Sequence, residues 1–167
     1  MEQELQSGIE PKTVKLITSD NVVKEVDLNI LKKSKLLEDF GEGEVIHLKE
    51  VDNKNLDLII KYLVHYKNME PKEIPKPFPD RTDDKFFRGI LNDDWTFDFL
   101  QSISLEDTVN LADAANFMQI DGLIKILVAK QAHEMCNCEI EEARKKFGIE
   151  CDMTEEEIAE IDKYPLD

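Results

Sequence analysis

Apolar and polar residues alternate along the first part of the chain, as they do in half-buried strands. The alternation over residues 13–18 and 22–26, with a polar turn between them, predicts a β-hairpin. The apolar run at residues 45–48 predicts a third short strand. Between the second and third strands, Asp27 and Ser34 are placed to cap two short helices, the second ending at a Gly-Glu-Gly sequence.

From residue 52 onwards the apolar residues recur at helical spacing instead. The clearest helix begins after Asp52 or Asn53, and its apolar face consists of Leu56, Ile59, Ile60, Leu63 and Val64. Further helices are predicted around Trp95 and Phe99, after Ser104 with its partner Asp107, over 123–135, over 138–146, and after Thr154 with its partner Glu157.

The last two predicted helices are short and carry few apolar residues. Asn137 is placed to cap the first of them and Gly148 to end it, while Pro165 would end the second. A helix of about ten residues is marginal when it is alone in water. These helices must therefore either pack back on the main domain or bind a partner.

A proline-rich loop separates the two halves of this pattern. Four of the six prolines lie between residues 71 and 79, and proline lacks an N–H group, so residues 69–84 are expected to form an extended surface loop. Residues 1–12 are expected to form a polar leader.

The charge of the chain excludes some classes of partner. Asp and Glu number 37 against 21 Lys and Arg, which gives a net charge of −16. Such a chain repels phosphate backbones and anionic lipid, so neither nucleic acid nor a membrane is an expected partner. No stretch reaches the roughly 18 apolar residues of a membrane span, and no basic-then-apolar signal opens the chain. The three cysteines are expected to be reduced thiols, which suits the cytoplasm and nucleus.

The sequence contains no recognisable catalytic or cofactor-binding motif. Cys136 and Cys138 lie near His133, but they form a C-x-C pair without the second pair that a structural zinc site needs. No phosphate-binding glycine loop or nucleophile elbow is present, and Asp93-Asp94 is interpreted as an exposed acidic turn. We therefore expect no enzyme activity, no metal and no cofactor. An enzyme or metal-binding protein remains the rival class.

The sequences VKLITSD at 14–20, EVD at 25–27 and LADAANFMQIDGL at 111–123 follow one another along the chain. In this order they resemble the S-phase kinase-associated protein family, the adaptors of SCF-type cullin–RING ubiquitin ligases. The third motif is the most specific, since the family reads close to LILAANYLDIKGL there. EEARKKFGI at 141–149 and DMTEEE at 152–157 complete the resemblance, which covers roughly residues 14–162.

The resemblance implies an α+β chain with a BTB/POZ fold, in which a small sheet carries clustered helices. It implies a BTB/POZ domain over 13–135 and a C-terminal helical extension over 136–167. The expected partners are the N-terminal domain of a cullin, bound by the BTB/POZ part, and F-box proteins, bound by the extension. The same apolar face could pair two copies of the chain when no F-box protein is bound. The alternative within this fold is an elongin-C-like or other BTB interaction adaptor.

The resemblance also assigns residues to the two partners. Asn116 and Phe117 stand where the family has a cullin-facing Asn-Tyr pair, although Phe117 could instead pack in the core. The positions that correspond to the F-box-binding face are Val128, Gln131, Met135, Ile140, Ala143, Phe147 and Ile149. Two departures stand out: the segment over 85–94 is longer than in the family, and its Trp-containing terminal helix does not follow Asp162.

Overall fold

Three short strands form one sheet in the order β2-β1-β3 in the computed structural model, which describes residues 12–79, 83–161 and 163. Strand β1 (Thr13–Ile17) pairs antiparallel with β2 (Val23–Asp27) and parallel with β3 (Val45–His47). The register places Val14 opposite Val26 and Leu16 opposite Ile46, and all four of these side chains are buried. The predicted hairpin and third strand are confirmed.

Only one of the two helices predicted between β2 and β3 is present. Asp27 accepts a hydrogen bond from the Asn29 amide and caps helix α1 (Leu28–Leu31), as expected. The helix predicted after Ser34 is wrong, because residues 35–39 form successive turns. The buried Ser34 hydroxyl donates to the carbonyl oxygen of Met118 at 2.6 Å, so it tethers this segment to a distant part of the chain.

The centre of the fold consists of three helices. Helix α2 (Asn53–His65) begins at its cap Asp52, and helix α5 (Leu105–Phe117) begins at the predicted Ser104 cap. Helix α5 packs against α2 and against α6 (Asp121–Cys136). Their facing apolar side chains form the core with the inner face of the sheet; among the fully buried ones are Leu56, Ile59, Leu63, Leu111, Leu123 and Leu127.

Two helices lie between the proline-rich loop and α5. Helix α3 (Asp84–Leu91) was not predicted, whereas α4 (Asp94–Gln101) corresponds to the helix expected around Trp95. The structure corrects the interpretation of Asp93 as part of an exposed acidic turn, because its half-buried carboxylate caps α4. Asp93 Oδ2 lies 2.8 Å from His65 Nε2, and the Thr96 hydroxyl donates to the same oxygen. This network joins α2 to α4.

The same network shifts the acidity of Asp93. Burial opposes the charged form of this carboxyl, but the hydrogen bonds to Thr96 and His65 outweigh that effect and lower its pKa. The His65 ring also stacks on Trp95, with 3.9 Å between the ring centroids. The end of α2 and the start of α4 are therefore held by both polar and aromatic contacts.

A buried lysine fixes α6 to the end of α4. Lys130 is 5% exposed, and its ammonium group donates to the carbonyl oxygens of Leu100, at 2.6 Å, and Ile103. Burial lowers the pKa of Lys130. In the sequence this residue only appeared to interrupt an apolar run, because its carbonyl partners are distant in the chain.

The proline-rich loop packs on the helical core along its described part. Residues 69–79 contain no helix or strand, as predicted, and residues 80–82 lie outside the described part of the chain. At Gly122 a Cβ atom would lie 2.5 Å from the Tyr62 hydroxyl and 3.1 Å from Pro71 Cγ, so only glycine fits there. This close approach brings the start of α6 against both α2 and the loop.

The chain continues into two short helices with no buried residue, α7 (Ile140–Phe147) and α8 (Glu155–Ile161). The predicted cap of α7 is wrong, because Asn137 ends α6 and Glu139 occupies the N-cap position of α7. Gly148 ends α7 with a left-handed φ of 66°, as expected. Thr154 and Glu157 form the predicted reciprocal capping pair, while Pro165 and most of the predicted leader lie outside the described residues.

Candidate partner-binding surfaces

The last turn of α5 places one of the two predicted cullin-facing residues in solvent. Asn116 is exposed, whereas Phe117 is half-buried and packs against the core. Asn116 shares its face of α5 with Asp113 and Val109, since the three residues follow i, i+4, i+7 spacing and all are exposed. We call this row the α5 face. The helical spacing of Val109 and Asp113 could have identified them, but Val109 lies outside the 111–123 motif that drew attention to Asn116, and Asp113 was not singled out within it.

The junction between α5 and α6 holds the α5 face in place. Gln119 adopts a left-handed φ of 55°, and its amide donates to the carbonyl oxygen of Asn116 at 3.0 Å. Ser34 ties the same junction to the segment after α1 through its bond to Met118. The α5 face is thus attached to a rigid corner of the fold.

An exposed ion pair lies beside this corner. Lys35 Nζ donates to Asp121 Oδ2 at 2.6 Å, which raises the pKa of Lys35 and lowers that of Asp121. Both side chains are more than half exposed, and such pairs contribute little to stability in water. The pair instead places one positive and one negative charge on the surface beside α5.

The outward side of α6 carries the first three residues of the predicted F-box-binding face. Val128 and Met135 are 53% and 47% exposed, and Gln131 between them is half-buried. They follow i, i+3, i+7 spacing and therefore form one row along the helix. Two large apolar side chains on one row of α6 are therefore exposed to solvent when only the described residues are considered.

Helix α7 carries three of the other four residues of the predicted face, and Ile149 follows its end. Ile140 is 72% exposed and Ile149 is 52% exposed, whereas Ala143 and Phe147 are half-buried. Ile140 lines an open cleft of about 350 Å³ between the two helices. The other apolar residues that line it are Met153, Ile158 and Ile161. These three were recognised in the sequence as apolar but were not assigned to the site, because which of them face the cleft depends on how the helices are arranged.

Few contacts hold α7 to the rest of the chain. Lys146 forms an ion pair with Glu134 of α6, and this hydrogen bond raises the pKa of Lys146. The thiol of Cys138 donates to the carbonyl oxygen of Glu134 at 3.0 Å. Both contacts are polar and lie at the edge of the protein, so the apolar side chains of α7 and α8 gain little burial within the chain.

The cysteines and carboxylates do not assemble into a metal site in the part of the chain that the structure describes. Cys136 and Cys138 are half-buried free thiols, and Cys151 is exposed. Within those residues no three His, Cys, Asp or Glu side chains are placed to hold one ion. His133 stacks on the Phe87 ring and lies 3.2 Å from Asp84 Oδ1. Among the described helices none is both long and apolar enough to cross a membrane.

Comparison with known proteins agrees with the architecture. The family model described as "Skp1 family, tetramerisation domain" matches residues 12–68, which span the sheet and α2. An "S-phase kinase-associated protein 1 homolog" of Tetrahymena thermophila is 34% identical over 152 residues, covering 89% of each chain. "SKP1-like protein 18" of Arabidopsis thaliana is 30% identical over 152 residues, covering 89% of this chain and 90% of its own.

A fungal relative matches to a similar extent. The "E3 ubiquitin ligase complex SCF subunit sconC" of Aspergillus clavatus is 32% identical over 155 residues, covering 89% of this chain and 92% of its own. Matches that cover 89% of this chain must include the central helices and α7. The identities, their coverage and the α+β architecture together show that the chain belongs to the Skp1 family.

Proposed function

We propose that this chain is a non-catalytic adaptor of an SCF-type cullin–RING ubiquitin ligase, linking a cullin scaffold to F-box substrate receptors. The observation that carries the proposal is the apolar surface of α6, α7 and α8 in a Skp1-family chain. Val128, Met135 and Ile140 are exposed there, although the core side of α6 is buried. A relative with the same extent of chain is named as an SCF subunit, which supports the same assembly here.

The F-box is the proposed occupant of the α6–α8 surface. Val128 and Met135 offer an exposed apolar row, and the cleft beside Ile140 offers a concave site of about 350 Å³. Three charged residues line the same cleft: Glu139, Glu141 and Arg144, which donates to Glu141 at 2.8 Å. An amphipathic helix that buries its apolar side on such a surface would supply the burial that α7 and α8 lack.

A cullin is the proposed partner of the α5 face. Asn116, Asp113 and Val109 combine an amide, a carboxylate and an apolar side chain on one exposed row. Interfaces typically combine an apolar centre with polar groups that fix the register. In this proposal Phe117 does not contact the cullin directly. It packs on the core and so supports the neighbouring Asn116.

In this proposal the adaptor acts only by positioning its two partners relative to each other. The two surfaces lie on different helices of one chain, and α5 packs against α6, so a receptor on α6–α8 is connected through the core to a scaffold on α5. The alternative of an elongin-C-like adaptor is not favoured, because the SCF-type relatives match over 89% of this chain. No catalytic step is assigned to any residue.

Binding of a purified F-box domain tests the proposal directly. Ile140→Asp should weaken F-box binding by at least about tenfold, since loss of a central apolar anchor typically costs about 2 kcal/mol. Aspartate in the first turn of α7 suits the helix dipole, so the fold should persist. Val64→Asp is the matched control, because Val64 is 52% exposed on the distant helix α2. If both variants bind like the wild-type chain, the α7–α8 cleft is not the F-box site.

A further inference from the structure

A second groove lies between the proline-rich loop and α6. It has a volume of about 340 Å³, and its apolar lining comes from Ile74 and Phe78 of the loop and from Ile124, Val128 and Ala132 of α6. No role was assigned to this part of the loop from the sequence. The groove borders the α6 row but not the α7–α8 cleft.

The walls of the groove are held in place by the core. Phe78 packs edge-on against the buried Phe87 ring, with 6.3 Å between the centroids. Ile74, Phe78 and Ile124 all contact the core cluster from their half-buried positions. A groove whose walls are already ordered binds a peptide at a lower entropic cost than one that must form on binding.

The charge at the rim of the groove is opposite to that of the whole chain. Lys76 and Lys125 are exposed at the rim, which carries one carboxylate, that of Glu73. Neither ammonium group forms an ion pair with a carboxylate of the described residues. In a chain with a net charge of −16, this local excess of positive charge favours an acidic segment with an apolar anchor.

Val128 connects this groove to the proposed F-box surface. It lines the groove and also begins the exposed row that continues through Gln131 to Met135. We propose that the groove binds a segment of the receptor that flanks its F-box and that carries an apolar residue between carboxylates. This inference rests on the proposed function, because the F-box must first be held on α6–α8. The linked segment then binds at a high effective concentration.

A comparison of two receptor lengths tests the inference. The probes are an F-box protein recovered with the full chain from its source cells and the same receptor shortened to its F-box. Lys76→Glu with Lys125→Glu should weaken binding of the full receptor about tenfold and leave binding of the F-box alone within about twofold. Lys49→Glu with Lys61→Glu is the matched control, because both lysines are exposed elsewhere and the change in charge is the same.

The outcomes separate the inference from the proposed function. The inference fails if the groove variant and the control bind the full receptor with equal affinity. It also fails if the groove variant loses the same affinity for the full receptor as for the F-box alone. If sedimentation shows that the groove variant dissociates a dimer of the free chain, the occupant is a second copy and the inference fails. If neither receptor length binds the wild-type chain, the proposed function itself fails.

Discussion

Ser34 and Asp93 each have a role that depends on residues far away in the sequence. Ser34 was expected to begin a helix, but its hydroxyl binds the carbonyl oxygen of Met118, 84 residues further along. Asp93 was expected in an exposed turn, but it binds His65 and Thr96. Local spacing identifies both as residues that favour caps and turns. It cannot identify a distant acceptor or donor, because that depends on how the elements pack.

Replacing Ser34 with alanine should lower the stability of the fold. The substitution removes a buried hydrogen bond and leaves the Met118 carbonyl without it, which costs about 1–3 kcal/mol. Urea unfolding followed by circular dichroism measures the loss. Ser19→Ala is the control, because the Ser19 side chain is exposed. Equal stability of the two variants would show that the tether to Met118 contributes nothing.

Replacing Asp93 with asparagine should change how stability depends on pH. The folded-state pKa of Asp93 lies below its ordinary value of 3.8, so its contribution is present above that pH. The contribution is lost as the pH falls through the folded-state pKa. At pH 7 the variant should be less stable than the wild-type chain by about 1–2 kcal/mol, because it loses a charge-assisted hydrogen bond.

The difference between the two proteins should shrink as the pH falls below 3.8 and through the folded-state pKa of Asp93, because protonation then removes the same charge from the wild-type chain. Urea unfolding over a descending pH series from pH 7 measures it. Asp94→Asn is the neighbouring control, since the Asp94 side chain is 79% exposed. A difference between the Asp93 variant and the wild-type chain that does not vary with pH would contradict the assignment.

At the level of elements, the sequence was most informative where a helix or strand has both a local pattern and a cap. Helices α2 and α5 satisfy both conditions, the hairpin has a polar turn in place of a cap, and the bounds of all three were close to the expected ones. Helix α3 was missed because its apolar residues follow a proline-rich loop and because the resemblance offers no counterpart for the longer segment. Its apolar side is only evident once Phe87 and Leu91 are seen in the core.

Helices α7 and α8 should be the least protected elements of the free chain. They have no buried residue, and caps contribute only about 1 kcal/mol each. Amides of α7 and α8 should therefore exchange roughly 100-fold or more faster than those of α2 and α5. Mass spectrometry of hydrogen exchange in dilute protein measures this. An added F-box domain should slow exchange selectively in α7 and α8, whereas protection of these helices in the free monomer would contradict the proposed lack of internal partners.

At the level of the whole molecule, the resemblance predicted two partner-binding surfaces but did not describe their shape. Asn116 could be named from a motif, and its exposure agrees with a contact role. The cleft between α7 and α8 could not be described, because Ile140 and Ile161 meet there only through the angle between two helices. Sequence patterns could not predict the groove beside the proline-rich loop either, since the residues that line its two walls are about 50 positions apart.

The separation of the two surfaces predicts that cullin binding can be lost without loss of F-box binding. Asn116→Lys places a long cation at the C-terminal end of the α5 face, and the loss of an interface hot spot typically costs about 2 kcal/mol or more. Affinity for a cullin N-terminal domain should fall by more than about tenfold in calorimetry, while affinity for an F-box domain stays unchanged. Phe117 is left intact because it packs on the core, and its truncation would confuse binding with stability.

The matched control for this prediction is the same substitution on the same helix. Asn110→Lys lies about 120° around α5 from Asn116 and is also exposed, so it adds the same charge to a different side of the helix. It should retain affinity for the cullin within about twofold. Equal losses for the two variants would indicate a general charge effect, since a cation anywhere on α5 would then disturb a basic partner. An unchanged affinity in a folded Asn116→Lys variant would remove the α5 face from the cullin interface and leave the F-box surface as the only supported contact.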